Sequence, residues 1–253
     1  MYLSTNELFH FTKFENLKLI IKSKAFLPRY NLEFTLLSTN FKSRAALLPV
    51  AMVCFCDIPY GLSKNHRERY GNHGIALTEE WKLRKGLNPI FYIQSESYLA
   101  NVLADLTNIT DRFIPIINKS NNDIEIVKTL NDIGIDLTFF TYFLKQFENK
   151  KTIKIDYEGK VRVFEQRKFY DEREWRYIPF EAMRNDELFI TIWDYDNPNN
   201  LKEAHKRLEN YKLQFDINDI KYLIVNSINE KEELDNYISQ LHKTNIEIKI
   251  AND

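Results

Sequence analysis

The sequence predicts an α+β fold, and three observations lead there. Segments with strand-like patterning and segments at helical spacing alternate along all 253 residues. No internal repeat and no linker-like stretch interrupts them, in a chain with only 6 Gly and 7 Pro. Helical patterns are also grouped, with a block over 95–147 that reads as helix and loop. The expected architecture is therefore one domain over 1–253 on a mixed sheet, with the helices of 95–147 inserted and packed against it.

Leu8-Phe9-His10-Phe11-Thr12 alternates and reads as a short strand. Lys13 to Ser23 carries Phe14, Leu17, Leu19, Ile20 and Ile21, the wide apolar stripe of a helix. Thr12 and Glu15 have the spacing of a capping box, which predicts Thr12 as N-cap. Pro28 marks a loop, and 34–49 is ambiguous. Val50 to Cys56 is a continuous apolar run, predicted as a buried strand that Asp57 to Gly61 ends as a turn. Ser63 is placed to cap a short polar helix reaching Tyr70. Gly71 to Gly74 then turns into a strand at Ile75-Ala76-Leu77. Thr78 to Lys85 predicts a helix stopped by Gly86, and Ile90 to Ile93 a further strand.

Ser95 to Leu106 has helical spacing, and Asn118 to Asp123 is a polar loop. Ile124 to Phe147 reads as one or two helices broken near Gly134, with Phe139, Phe140, Phe143 and Phe147 as a core stripe. Lys150 to Val163 has the alternation and the Glu158-Gly159 turn of a hairpin. Phe169 to Pro179 and Leu188 to Trp193 read as strands, the latter followed by a turn at Asn197 to Asn200. The chain closes with a helix at Lys202 to Tyr211, a strand at Ile220 to Val225, a helix at Glu230 to Leu241 and a strand at Ile246 to Ile250.

Composition excludes several classes. With 35 basic and 36 acidic residues, no long-range basic field is expected, and only a local groove is left for nucleic acid. Met1 to Glu7 has no basic segment followed by an apolar run, so no signal peptide is expected. No apolar stretch approaches the length of a membrane span. Cys54 and Cys56 share a face in poor geometry for a disulfide, and are expected to be reduced and buried. That fits a reducing cytoplasm. His66 and His73 add no standard zinc spacing, so no metal is expected. No phosphate loop, dinucleotide fingerprint or nucleophile elbow is present, which leaves kinase, Rossmann and hydrolase readings without a carrier.

The densest chemistry lies in Phe169-Tyr170-Asp171-Glu172-Arg173-Glu174-Trp175-Arg176-Tyr177-Ile178-Pro179. As a strand it would point Glu172, Glu174 and Arg176 to one face and Arg173, Trp175 and Tyr177 to the other. A carboxylate pair beside a guanidinium serves either a solvated edge or a catalytic carboxylate held by its neighbours. Taken with Leu8 to Thr12 and its following helix, and with Tyr70-Gly71-Asn72-His73-Gly74-Ile75, this stretch resembles the three motifs of His-Tyr-Glu ADP-ribosyltransferase-like proteins. The order of blocks over 8 to about 180, including Val53 to Pro59 and His66 to Gly74, also resembles the AbiGi-like abortive infection proteins of bacterial phage defence.

The first resemblance implies a split, transferase-like mixed sheet and NAD as substrate. Cleavage of the nicotinamide bond passes through an oxocarbenium-like state. The resemblance would place Glu174 opposite that charge, with His10, Thr12 and Tyr70 on the dinucleotide. Glu172 would be the alternative carboxylate or a general base, and Arg69, with Lys64 and Arg67, would face the diphosphate. Glu174→Gln is then expected to abolish NAD-dependent activity with the fold intact. Each residue also has a structural reading: His10 as a hydrogen-bonded core histidine, Tyr70 as a helix end, the basic residues as a solvated helix face. The second resemblance implies an antitoxin or sensor that binds a partner toxin or phage component without catalysis. Convergence of His10, Tyr70 and Glu174 in one cleft is the observation that the enzyme reading requires.

Overall fold

The computed structural model describes residues 6–34, 47–106, 124–157, 159–184, 189–242 and 245–251. The first half of the chain forms β1 (Glu7–Thr12), α1 (Phe14–Ser23), β2 (Ala25–Phe26), β3 (Arg29–Phe34) and β4 (Leu47–Cys56). It continues with α2 (Lys64–Tyr70), β5 (His73–Thr78), α3 (Glu79–Arg84), β6 (Asn88–Pro89) and β7 (Phe91–Ile93). The helix α4 covers 98–106. Then come α5 (Ile124–Thr141), β8 (Leu144–Gln146), β9 (Glu148–Asn149), β10 (Ile153–Tyr157), β11 (Lys160–Phe164), β12 (Arg167–Lys168) and β13 (Glu174–Tyr177). The last part holds α6 (Phe180–Arg184), α7 (Ile192–Asp196), α8 (Pro198–Arg207), β14 (Leu213–Gln214), β15 (Ile220–Val225), α9 (Ile228–His242) and β16 (Ile248–Ile250).

Among the described residues, eight strands join one mixed sheet in the order β16-β15-β5-β1-β4-β13-β6, with β3 paired to Leu47–Met52 of β4. The β15–β16 pair is parallel and the others are antiparallel. One face carries Leu8, Val53, Phe55, Leu77 and Leu223, covered by Leu17 and Ile21 of α1, Trp81 of α3, and Leu234 and Ile238 of α9. Leu17 and Ile21 are thus where the sequence stripe put them. The other face carries Phe9, Phe11, Cys56 and Tyr222 at one end, and at the other Met52, in one cluster with Tyr142 and Leu208 from outside the sheet.

Two glycines, Gly71 in the turn between α2 and β5 and Gly74 within β5, let this segment pass close over the end of β1. Gly71 has φ +122°, and a Cβ there would stand 2.1 Å from the carbonyl oxygen of Thr12. At Gly74 a Cβ would stand 2.9 Å from the ring of Phe11. Only residues without a side chain bring Tyr70 and Thr12 this near.

Several expected elements change. Lys13, not Thr12, is the N-cap of α1, without a side-chain cap bond; the Thr12 hydroxyl instead accepts from the Asn16 amide at 3.2 Å. The stretch at 169–179 is not one strand. Phe169–Glu172 is a 3₁₀ turn, Arg173 takes a left-handed φ of 44°, and β13 begins at Glu174. Glu172 therefore lies outside the strand, because the αL residue reverses the chain before pairing starts. Gly134 does not break α5, which runs to Thr141 before β8. Leu188 lies outside the described residues, and Ile192–Asp196 is helix rather than strand. Thr191 caps it reciprocally with Asp194, so the polar residues beside the apolar pair decide the outcome. Asn197 caps α8 and Pro198 opens it, so the expected turn is the helix start. The loop at Asn118–Asp123 lies outside the described residues. Among the described residues, no helix is long and apolar enough to cross a membrane.

Candidate functional site

A cleft of about 1210 Å³ is lined by β1, α1, β3, β4 and the segment from Phe164 to Glu174. His10, Thr12, Tyr70, Glu172 and Glu174 all line it. Arg69 does not, and is exposed on α2. Arg67 is buried with its guanidinium 4.9 Å from the Tyr60 ring, so neither arginine stands on the cleft wall.

His10 and Glu174 sit on strands that flank β4, about 10 Å apart by two strand spacings. They point to opposite faces. Direct antiparallel partners share a face, and Phe9, Cys56 and Glu174 are partners across the three strands. His10 therefore faces the other way, and its ring lies 5.0 Å from Phe26 and 5.6 Å from Phe55. β1 and β4 share one registered pair, Phe9↔Cys56. Beside it the His10 Nδ1 bonds the Cys54 carbonyl at 2.9 Å, so the imidazole takes the place of a ladder partner. Burial holds the His10 pKa below its ordinary value, with the Cys54 carbonyl acting weakly against it. This is a core histidine at the cleft edge.

Glu174 belongs to a buried ion-pair network. Its Oε1 accepts from Arg176 Nε at 2.6 Å and its Oε2 from Lys145 Nζ at 2.9 Å. Arg176 also donates to Glu33 at 2.9 Å and to the Tyr142 carbonyl at 2.5 Å. Lys145 reaches Glu172 at 3.5 Å and Glu33 at 3.8 Å. Arg167 pairs with Glu172 and donates to the Tyr70 hydroxyl at 3.0 Å. Three carboxylates thus meet three cations, Arg176 being 1% exposed. The Glu174 backbone N–H donates to the Tyr92 hydroxyl at 2.9 Å, fixing the start of β13. Burial alone would raise the Glu174 pKa, but Arg176 and Lys145 outweigh it and hold the carboxyl well below the carboxylate range. Glu172 goes the other way, pushed up by burial that Lys145 and Arg167 only partly offset.

The sequence gives His66 no site role beyond opening the His66 to Gly74 block, yet it lines the cleft, with its ring 4.5 Å from Tyr70 and 5.8 Å from Phe11. Burial, and secondarily the nearby Arg167, lowers its pKa to about 4. His66 is neutral when folded, while the unfolded imidazole takes up a proton below its ordinary value of 6.5. The unfolded state then binds more protons, so stability falls as pH drops from about 6.5 to about 4. His66→Gln is expected to flatten that loss in urea titrations across the window; an unchanged slope would show that His66 does not drive it. His10, buried and lowered in the same direction, adds a second part that this variant keeps.

Cys54 and Cys56 are free thiols, Cys56 buried and Cys54 half-buried on the cleft wall, and burial raises both thiol pKa values. Among the described residues, no group of three or more His, Cys, Asp or Glu is placed to hold a metal ion. His73 instead pairs with Glu230 at 3.1 Å and packs 5.2 Å from Phe14. Lys145, Glu33, Arg167 and Tyr92 belong to the site without any local motif. Lys145 and Tyr92 at least interrupt apolar neighbours, whereas Arg167 and Glu33 lie in mixed polar segments that give no signal of their own.

Among the described residues, fold and site define a mixed-sheet α+β protein with a large cleft walled by a buried network of three acids and three bases. Comparison with known proteins is then specific. The family profile described as "Putative abortive phage resistance protein AbiGi, antitoxin" matches residues 24–226. The abortive phage resistance protein AbiGi of Lactococcus lactis subsp. cremoris is 31% identical over 237 residues, covering 87% of this chain and 89% of that one. The chain belongs to the AbiGi family of abortive phage resistance proteins. No solved structure matches it.

Proposed function

We propose that the chain is the antitoxin side of an abortive-infection system, a non-catalytic module that binds a partner toxin or phage component through its cleft. The pairing of Glu174 carries this reading. Both carboxylate oxygens are bonded to cations, at 2.6 and 2.9 Å, inside a network of three acids and three bases. Such a carboxylate has little uncompensated charge left to oppose an oxocarbenium ion. The antitoxin description of the family supports the same reading.

The test is growth rescue on co-production with a cognate toxin, beside thermal melting. Glu174→Gln keeps the shape and removes the charge, so it should lower stability by about 1–3 kcal/mol. Rescue should then follow only the amount of folded protein. Melting like wild type with rescue lost would give Glu174 a chemical role instead.

An ADP-ribosyltransferase-like or NAD-cleaving enzyme is the second reading. It is favoured by Glu172 and Glu174, which share Lys145 while their pKa values move in opposite directions, as in paired catalytic carboxylates. His10, Thr12 and Tyr70 line the same cleft. Calorimetry with NAD decides it: binding that Tyr70→Ala and Glu174→Gln both weaken supports the enzyme, and no heat at millimolar NAD removes it.

A further inference from the structure

The charges of the cleft divide into two groups. Those on the inner wall are paired among themselves through Lys145, Arg167 and Arg176. The outer rim differs. Lys22 lies in the last turn of α1, Arg29 opens β3, and Lys212 immediately precedes β14. The antiparallel pair Leu213↔Phe26 sets Lys212 opposite Leu27, two residues from Arg29. All three are exposed and line the cleft, and among the described residues none makes an ion pair. Glu209 is the acid on this rim, and it pairs with none of them. The unbalanced charge of the cleft is therefore positive and sits at its mouth.

The floor beside these cations is aliphatic. Leu19 and Ile20 of α1 line it with Leu27 and Leu32, and Leu19 is 62% exposed. Leu19 and Lys22 stand three residues apart on α1 and so share one helix face, which sets an open aliphatic side chain beside an exposed cation. We propose that this rim docks a peptide segment of the partner protein that carries aliphatic side chains flanked by carboxylates. The inference rests on the antitoxin reading and names the chemistry of its partner. One feature favours a peptide over nucleic acid. Phe9, Phe11, Phe26 and Phe55 line the cleft but are buried, so they offer bases no open face to stack on, while Leu19 beside the cations is open to a partner's aliphatic side chains.

The experiment is fluorescence anisotropy with a labelled short peptide alternating Glu and Leu, its Lys-for-Glu counterpart, and a labelled oligothymidylate, each against the full chain. The acidic peptide should bind, weaken as salt is raised, and lose about tenfold or more in affinity to Lys22→Glu/Arg29→Glu/Lys212→Glu. These side chains are exposed, so the triple variant should melt like wild type, and a melting scan checks it. Equal binding of the Lys peptide, tighter binding of the oligonucleotide, or no binding of either peptide overturns the proposal. Growth rescue separates it from the reading beneath it. Rescue that survives the triple variant overturns the rim while leaving the antitoxin role; a wild-type chain that never rescues overturns the role itself.

Discussion

Replacing Arg176 with methionine is expected to destabilise the protein by about 3–5 kcal/mol, the usual effect of removing one partner from a buried ion pair. Arg176 is 1% exposed and serves Glu174, Glu33 and the Tyr142 carbonyl together. Methionine fills much of the volume and answers none of those acceptors. Lys145 would then be left facing three carboxylates, with Arg167 on only one of them. Urea unfolding monitored by fluorescence measures the loss. The double variant Glu174→Met/Arg176→Met should recover part of it, since an absent charge needs no partner. A loss below about 1 kcal/mol for the single variant is the behaviour of a solvated pair, and would mean that water reaches the network.

Gly71→Ala is expected to be comparably damaging from a single methyl group. At φ +122° and ψ 149°, Gly71 occupies backbone space that is almost closed to L-residues, where strain amounts to roughly 1–3 kcal/mol. The added Cβ also meets backbone, 2.1 Å from the Thr12 oxygen and 2.4 Å from its carbonyl carbon, so no side chain can rotate away. Relief requires α2 to move off β1, which draws Tyr70 and His66 away from the cleft. Gly61→Ala is the control, since a Cβ there meets nothing within 4 Å. Thermal melting should separate the two clearly, and hydrogen exchange should show the loss of protection centred on β1 and β5. Equal melting of the two alanine variants would show that the turn accommodates the methyl.

Much of the fold was legible because its signals are short-range. The apolar run at Val50 to Cys56, the helix at Phe14 to Ile21, the hairpin around Gly159 and the helix stop at Gly86 each need only neighbours a few residues away. The misreadings were competitions that local pattern does not settle. Ile192 and Trp193 look like a strand until Thr191 and Asp194 cap them into a helix. Phe169 to Pro179 looks like one strand until Arg173 adopts φ 44°.

What the sequence determined by itself was most of the longer elements, the family resemblance and five residues that border one cleft, His10, Thr12, Tyr70, Glu172 and Glu174, but not Arg69, which lies off it. What only the tertiary structure decided was the state of those residues. His10 turned to the core face because Phe9, not His10, aligns with Cys56 and Glu174. Glu174 became a paired charge because Lys145 lies 29 residues before it, and Glu33 joins Arg176 from 143 residues away. A carboxylate's role depends on which charges lie within a few ångströms, and Coulomb energy follows distance in space, which residue order along a chain does not encode.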